Sequence, residues 1–399
     1  MVIELRINKW LIYNTRKVFN FCEKVVWHTK KTCDVLIFDA ESSDDLVKCI
    51  PEKCRIFIFR NRTEQPLFIS VKFFFYLIQA LIRYKKLNIA IMIAIFKYLN
   101  PKVIITFIDN SSAIPLIKKT CSKIPFFAIQ NGIRWDFSIK NREQMNYDYY
   151  FSFGSVEADI FSQDRHIVAN FYPIGSIRAS IFREMKSDLN NKIFDLCFIS
   201  QFDPVPVNSA GMNEWNFEVL INYFDTGKKY FDIVVKYAIE NNLSLCVAMR
   251  SAQNSLNYTS EYEYFSNHYH KNITYIPQSK FSSYRAVQDS QLSLTISSTL
   301  GYEALGWGER VIFAKDVQSV NSLVMQGGWD NNLVTHKLPE LQRLYSLDYS
   351  ELNFKVMKIL EMTDENYIEY SKIAREYYMN YYDNKKPHEF IKQKIIELM

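Results

Sequence analysis

Residues 292–314 read LSLTISSTLGYEALGWGERVIFA. Leu292, Leu294 and Ile296 stand among β-formers, the pattern of a short buried strand over 292–296. Ser297, Ser298 and Thr299 follow. Their oxygens accept the orphan N–H groups of a helix start, so a helix over 300–307 fits. Gly306 and Gly308 let it stop and turn. VIFA, 311–314, supplies a second strand. A small-residue turn at a helix N-terminus is a ready anion site, because free N–H groups and the helix dipole point the same way. Glu303, one turn in, is placed to accept from the hydroxyls of a ribose. The same spacing also describes an ordinary strand–cap–helix unit with no ligand, and such units outnumber nucleotide sites.

Outward from this stretch, the second half of the chain keeps the same rhythm. FDLCFIS (194–200) is a clean strand that runs into Gln201-Phe202-Asp203-Pro204, a loop that cannot continue it. Helices are expected over 214–223 and 228–241, separated by Asp225-Thr226-Gly227. Strands over 243–249 and 273–276 end in Arg250 and in Pro277-Gln278, and a short helix over 284–288 follows. Helices over 351–362, 365–382 and 388–399 close the chain. In the first half, strands over 35–38, 56–59, 103–107, 126–129, 149–153 and 168–174 alternate with helical stretches. That alternation argues for parallel sheets with helices on both faces. Ligands then bind beyond the carboxyl ends of the strands. Gln130, Asn131, Arg134 and Trp135 occupy one such end. The arginine can fork onto an anion and the tryptophan can stack on a sugar, although a plain loop with a surface arginine reads the same. Glu157 follows another strand end, as a first-turn helix acid or a catalytic carboxylate.

At 399 residues the chain is long for one core, and two domains are expected. The polar stretch 186–192 is the expected linker. The boundaries are an N-terminal domain over 1–185, a second over 193–380, and a terminal helix over 381–399. Lys and Arg exceed Asp and Glu by 48 to 43, a net charge of +5. That suits anionic substrates and is too small for a nucleic-acid binder. Seven cysteines without a CxxC motif argue against a disulfide framework or zinc site and point to the cytoplasm. The run 68–99 is broken by Lys72, Gln79, Arg83, Lys85 and Lys86, so two packed helices fit better than a membrane span. The first thirty residues carry basic side chains with Trp10 and Trp27 between them. They are either a peripheral contact with an anionic membrane at its inner face or a solvated domain edge.

Several segments together resemble bacterial surface-carbohydrate glycosyltransferases of the GT-B class: YDYYFSFGSVEAD, FYPIGSIR, DLCFISQFDP, SSYRAVQDSQLSLTISSTLGYEALGWG and the MQGGW loop. Within that class they are most similar to the retaining β-Kdo transferases that use CMP-Kdo. The resemblance implies two Rossmann-type α/β domains facing a cleft, with a C-terminal helix crossing back to the first. It implies transfer of Kdo from CMP-Kdo to a saccharide or glycolipid acceptor in lipopolysaccharide, O-antigen or capsule synthesis, with retention, no metal and no cofactor beyond the donor. Ser297, Ser298 and Thr299 would meet the phosphate, and Glu303 the ribose. Pro277 and Gln278 would border the base, and Arg250 and Lys315 would balance phosphate and carboxylate. Gln130, Asn131, Arg134 and Trp135 would meet the acceptor.

Retention suggests double displacement through a carboxylate adduct. The resemblance points to Asp232, with Asp203 as alternative nucleophile and Glu157 as acid/base. A UDP-, GDP- or TDP-sugar transferase and a non-catalytic scaffold in a polysaccharide complex are the competing readings.

Overall fold

The runs VLIF (Val35–Phe38), VIIT (Val103–Thr106) and FFAI (Phe126–Ile129) are buried at every position. Strands this uniformly apolar must be covered on both faces, the condition of parallel strands between helical layers. A computed structural model shows that arrangement. It describes residues 24–27, 33–60, 66–111, 113–133, 144–164, 166–185, 192–202, 214–266, 273–314, 337–381 and 386–399. For 24–27, 66–69, 163–164 and 214–224 the description is of backbone alone.

In chain order the first half holds β1 (Lys24–Trp27), β2 (Val35–Phe38), α1 (Ser43–Val47), β3 (Ile56–Phe59), β4 (Pro66–Ile69), α2 (Val71–Tyr84), α3 (Leu87–Leu99), β5 (Val103–Thr106), α4 (Ile114–Thr120), β6 (Phe126–Ile129), β7 (Asn146–Ser152), α5 (Val156–Asp164), β8 (Ile167–Pro173) and α6 (Ile177–Glu184). The second half holds β9 (Phe194–Ile199), α7 (Glu214–Glu240), β10 (Leu245–Ala248), α8 (Tyr258–Ser266), β11 (Ile273–Ile276), α9 (Ser282–Gln288), β12 (Ser290–Thr295), α10 (Thr299–Trp307) and β13 (Val311–Ala314). A 3-10 turn, β14 (Arg343–Leu344), α11 (Tyr349–Leu360), α12 (Asp364–Tyr370), α13 (Lys372–Tyr378) and α14 (Pro387–Glu397) follow.

Six strands of the first half pair in parallel in the order β3-β2-β5-β6-β7-β8. Six of the second half pair in parallel in the order β11-β10-β9-β12-β13-β14. The second order reverses between β9 and β12, so their carboxyl ends flank a topological switch point, where such sheets open a crevice. The two-domain Rossmann-like expectation therefore holds. β1 and β4 form a separate parallel pair.

The C-terminal helix crosses back as expected. Ile391 and Ile395 of α14 join the apolar cluster of Val35, Ile105 and Phe151. Phe390 sets its ring edge-on to Phe151 and Tyr172, with centroids 6.4 and 5.3 Å away. The crossing segment presses on the first domain at two glycines. A Cβ on Gly154 would lie 2.1 Å from the Tyr377 carbonyl oxygen. Gly175 has φ +83°, and a Cβ there would meet the Tyr381 ring at 2.7 Å. Between them the Asn380 N–H donates to the Phe153 carbonyl over 2.8 Å.

Three local expectations are corrected. Asp225-Thr226-Gly227 does not break a helix; it lies inside the continuous α7. One interior glycine costs only about 1 kcal/mol, and the buried Tyr230, Phe231, Val234 and Val235 hold the face of α7 that follows it. The helix expected from about Ile69 starts at Val71, because Ile69 ends the strand Pro66–Ile69, which pairs with β1. The helix expected over 365–382 divides at Ser371 into α12 and α13. Most of the expected linker lies outside the described residues. Among the described residues no helix is long and apolar enough to cross a membrane.

Candidate active site in the interdomain cleft

The carboxyl ends of both sheets face one cleft of about 670 Å³, within the range of small-molecule sites. The second domain supplies Ile199, Ser200, Arg250, Gln278, Lys280, Tyr284, Ser298, Thr299 and Glu303. The first supplies Ser42, Asp44, Asp45, Phe107, Asn131, Phe153, Ser176 and Arg178.

The start of α10 is built as the sequence implies. Ser298 is its N-cap, and its Oγ accepts from the Leu300 N–H at 3.3 Å. The turn before it is held by Gln201, whose Oε1 accepts from the Ser297 N–H at 2.7 Å and from Thr295 Oγ1 at 3.1 Å. These bonds tie β9 to β12 across the switch point. Thr299 Oγ1 accepts from the Ile133 N–H at 3.2 Å, which brings the Gln130-Asn131-Gly132 loop of the other domain against the helix start. A positive helix end, two hydroxyl side chains and an asparagine thus meet in one place.

Glu303 is 4 % exposed and faces the same cleft. Ser176 donates to its Oε1 over 2.5 Å. Burial pushes its carboxyl up to about 7, against the lowering influence of Ser176, Tyr284 and Arg178. Arg178 in turn is aimed from α6 by α1: its Nε donates to Asp45 Oδ2 at 3.0 Å and its Nη2 to Ser42 Oγ at 2.6 Å. The turn that carries these acceptors is strained, since Asp39 and Ser42 have φ of 78° and 55°. Such conformations persist where the surroundings over-determine them, and they cluster at functional sites.

On the opposite wall Arg250 donates from Nη1 to the Phe202 carbonyl at 3.3 Å. The strand ends beneath it are organised by the buried Glu261 of α8. This carboxylate accepts from Ser200 Oγ at 2.5 Å and from the N–H groups of Arg250 and Ser251 at 2.8 and 2.7 Å. Gln278 is set by its N–H to the Ser251 carbonyl, 2.9 Å. Lys280 lines the cleft a little further on.

Of the residues singled out in the sequence, the cleft brings together Ser298, Thr299, Glu303, Arg250, Gln278 and Asn131. Others stand elsewhere. Asp232 does not line it: on the continuous α7 its carboxylate meets Lys228, one turn back. Glu157 is fully buried on α5 and receives the Gln130 amide. Gln130 also receives the Phe153 N–H at 2.6 Å and donates to the Gly132 carbonyl at 2.9 Å. This pair braces the floor beneath Asn131 and Phe153 rather than lining the cleft. Ser297 and Pro277 do not line it; the Pro277 carbonyl accepts from Ser282 Oγ at 2.8 Å. Asp203, Lys315, Arg134 and Trp135 lie outside the described residues, as do the MQGGW loop and the first 23 residues. Among the described residues no group of His, Cys, Asp and Glu could hold a metal ion.

Sequence reading missed Ser176, Arg178, Gln201, Glu261 and Tyr284. The signal for the first two was available: a serine that caps a helix just after a strand end, with an arginine in the first turn, repeats in the first domain the logic of 297–303.

Two parallel Rossmann-like sheets whose strand ends face a shared cleft define the GT-B class of fold. Two solved structures show the likeness. One is Staphylococcus aureus MnaA with UDP, at 12 % identity over 92 % of this chain and 95 % of that one, with a TM-score of 0.50. The other is a protein from Listeria monocytogenes provisionally assigned as a UDP-N-acetylglucosamine 2-epimerase, at 12 % identity, 92 % and 95 % coverage and a TM-score of 0.51. A search of curated proteins found no match to the sequence. Within the class, the chain belongs to the family described as "putative O-antigen biosynthesis protein", which matches residues 127–395.

Proposed function

We propose that the protein is a glycosyltransferase of surface-polysaccharide synthesis that takes a nucleotide sugar in this cleft and passes the sugar to a saccharide acceptor. The observation that carries the reading is the convergence of the α10 N-terminus and Glu303 with Arg178, Arg250 and Lys280 around one cavity. Ser298, Thr299 and the helix N–H groups receive the phosphate. Glu303 accepts from the ribose hydroxyls, and Gln278 lies beside the base. The cations neutralise charge as the nucleotide departs.

The finer reading is Kdo transfer from CMP-Kdo with retention. This donor carries two anionic groups, a phosphate and a carboxylate, and cations on both walls can meet them separately. A carboxylate attacks the anomeric carbon, the bond to the phosphate oxygen breaks, and CMP leaves with the electron pair. The acceptor oxygen then displaces the carboxylate, which leaves with the electron pair of the broken bond, and the acceptor's proton passes to water. Asp203 takes the nucleophile's role here, because it directly follows Phe202, whose carbonyl receives the cleft residue Arg250. A uridine diphosphate sugar is the second reading. Three cations also suit a diphosphate, and the similar S. aureus protein was solved with UDP.

The test is nucleotide release from CMP-Kdo, beside UDP- and GDP-sugars, in the presence of saccharide acceptors, with the adduct sought by intact mass. CMP release with a Kdo-sized adduct that Asp203→Asn abolishes and Asp232→Asn leaves intact supports the reading. Loss of the adduct in Asp232→Asn alone would return the nucleophile to α7. Release from UDP-sugars only would replace the donor.

A further inference from the structure

Helix α2 (Val71–Tyr84) presents an apolar face to solvent. Val71 is 90 % exposed, Phe75 56 %, Ile78 57 % and Ile82 75 %, with Phe74 beside them. At 100° per residue these five side chains fall within an arc of about 100°. The opposite face carries Phe73, Leu77 and Ala80, all buried, where α2 packs on α3. The helix is therefore apolar on both sides, and among the described residues only one side packs into the core. Other exposed apolar residues are scattered over many elements, as on any protein surface. This group is contiguous on one helix, and a contiguous patch marks an interaction site.

The charge around the patch names its partner. Residues 65–108 contain six basic side chains and no acidic one. Lys72 and Arg83 lie along one flank of the apolar arc, and Lys85 and Lys86 follow at the C-terminal end, both exposed. Lysine stems lie along apolar surface while their ammonium groups reach outward. An apolar stripe bordered by cations matches a bilayer surface, where side chains enter the acyl boundary and cations meet anionic headgroups. At 14 residues α2 is about 21 Å long, too short to span the hydrocarbon core of roughly 30 Å. It can lie in the interface but not cross it.

The geometry points to α2 as a membrane-docking helix that seats the first domain on an anionic lipid surface. This places a lipid contact on 71–86; most of the basic N-terminal region lies outside the described residues. The purified full chain is sedimented with vesicles of phosphatidylcholine alone and of phosphatidylcholine with phosphatidylglycerol. The chain should bind the anionic vesicles more strongly and release at high salt. Phe75→Ser with Ile78→Ser and Ile82→Ser should lower partitioning about tenfold or more, since each removes an apolar side chain from the boundary. Arg83→Gln with Lys85→Gln and Lys86→Gln should remove the preference for anionic vesicles, at roughly fivefold for each charge. Both variants should keep the wild-type melting temperature and cleft-ligand affinity, because all six residues are outside the cleft. Equal partitioning of the apolar variant and the wild type would overturn the assignment. So would a wild-type dimer in sedimentation velocity that the apolar variant converts to monomer without any vesicle binding, because a second copy of the chain would then be the occupant.

Discussion

Ser298 does two things with one oxygen: it caps α10 and stands at the rim of the cleft beside Thr299. Replacing both hydroxyls, as Ser298→Ala with Thr299→Val, should weaken nucleotide binding by about 1–3 kcal/mol, the value of hydrogen bonds to a charged group. Calorimetry checks this, and a melting scan separates it from the cost of the lost cap, about 1 kcal/mol. Glu303 adds a pH dependence. Its folded value of about 7 lies above the ordinary 4.5. The folded state thus holds a proton that the unfolded state releases, and stability falls as pH rises from about 4.5 through 7. Glu303→Gln should flatten that slope in denaturant melts. Ligand binding should run the other way, strengthening above pH 7 as the carboxylate becomes the better acceptor for ribose hydroxyls, and the Gln variant should lose that gain. Glu303 and Ser298 were legible in the sequence because their relation is local, a helix start and its first turn. Ser176 and Arg178 carry the same local signal in the first domain; Tyr284 does not, because what makes it a site residue is the approach of a second strand end from far along the chain.

Among the elements, the short apolar strands were the most readable. Val35–Phe38, Ile56–Phe59, Phe126–Ile129, Ile273–Ile276 and Val311–Ala314 lie where the apolar runs put them. Short runs bounded by turn residues carry their own boundaries. Helix α7 was misread because Asp225, Thr226 and Gly227 are each poor helix formers, and the packing that overrides them is tertiary. That packing yields a prediction. A Cβ on Gly227 would meet Ile296 Cδ1 at 3.5 Å and Tyr264 Oη at 3.7 Å, ordinary contact distances. Gly227→Ala should therefore stabilise the protein by about 0.5–1 kcal/mol, through the lower entropy of its unfolded chain. Urea melts read this directly; a destabilised variant would mean that α7 bends at Gly227. The same helix carries Asp232 against Lys228 and away from the cleft lining. The ion pair with Lys228 satisfies an aspartate set within an apolar run.

At the scale of the molecule, the cleft exists because two sheets are held with their carboxyl ends facing. The C-terminal crossing is what holds them. Tyr377, Asn380 and Tyr381 close on Gly154 and Gly175, and α14 seals the first domain's core. Gly154→Ala should cost about 2–4 kcal/mol, since its Cβ would strike backbone that cannot yield. It should also weaken nucleotide binding, although no atom of Gly154 lines the cleft; a destabilised variant with unchanged binding would contradict that coupling. The two-domain plan was legible from alternating strands and helices, but the clamp was not, because glycines reveal close approach only once the approaching backbone is in view. The central claim is that the α10 start and Glu303 form a nucleotide site shared by both domains. Calorimetric titration with CMP, UDP and GDP tests it on the wild type, on Glu303→Gln and on Arg178→Ala, which alters the first-domain wall. The account predicts selective binding of one nucleotide by the wild type, CMP for the finer reading, and clear weakening in both variants. Binding unchanged in Glu303→Gln and Arg178→Ala, or no binding of any of the three, would contradict it.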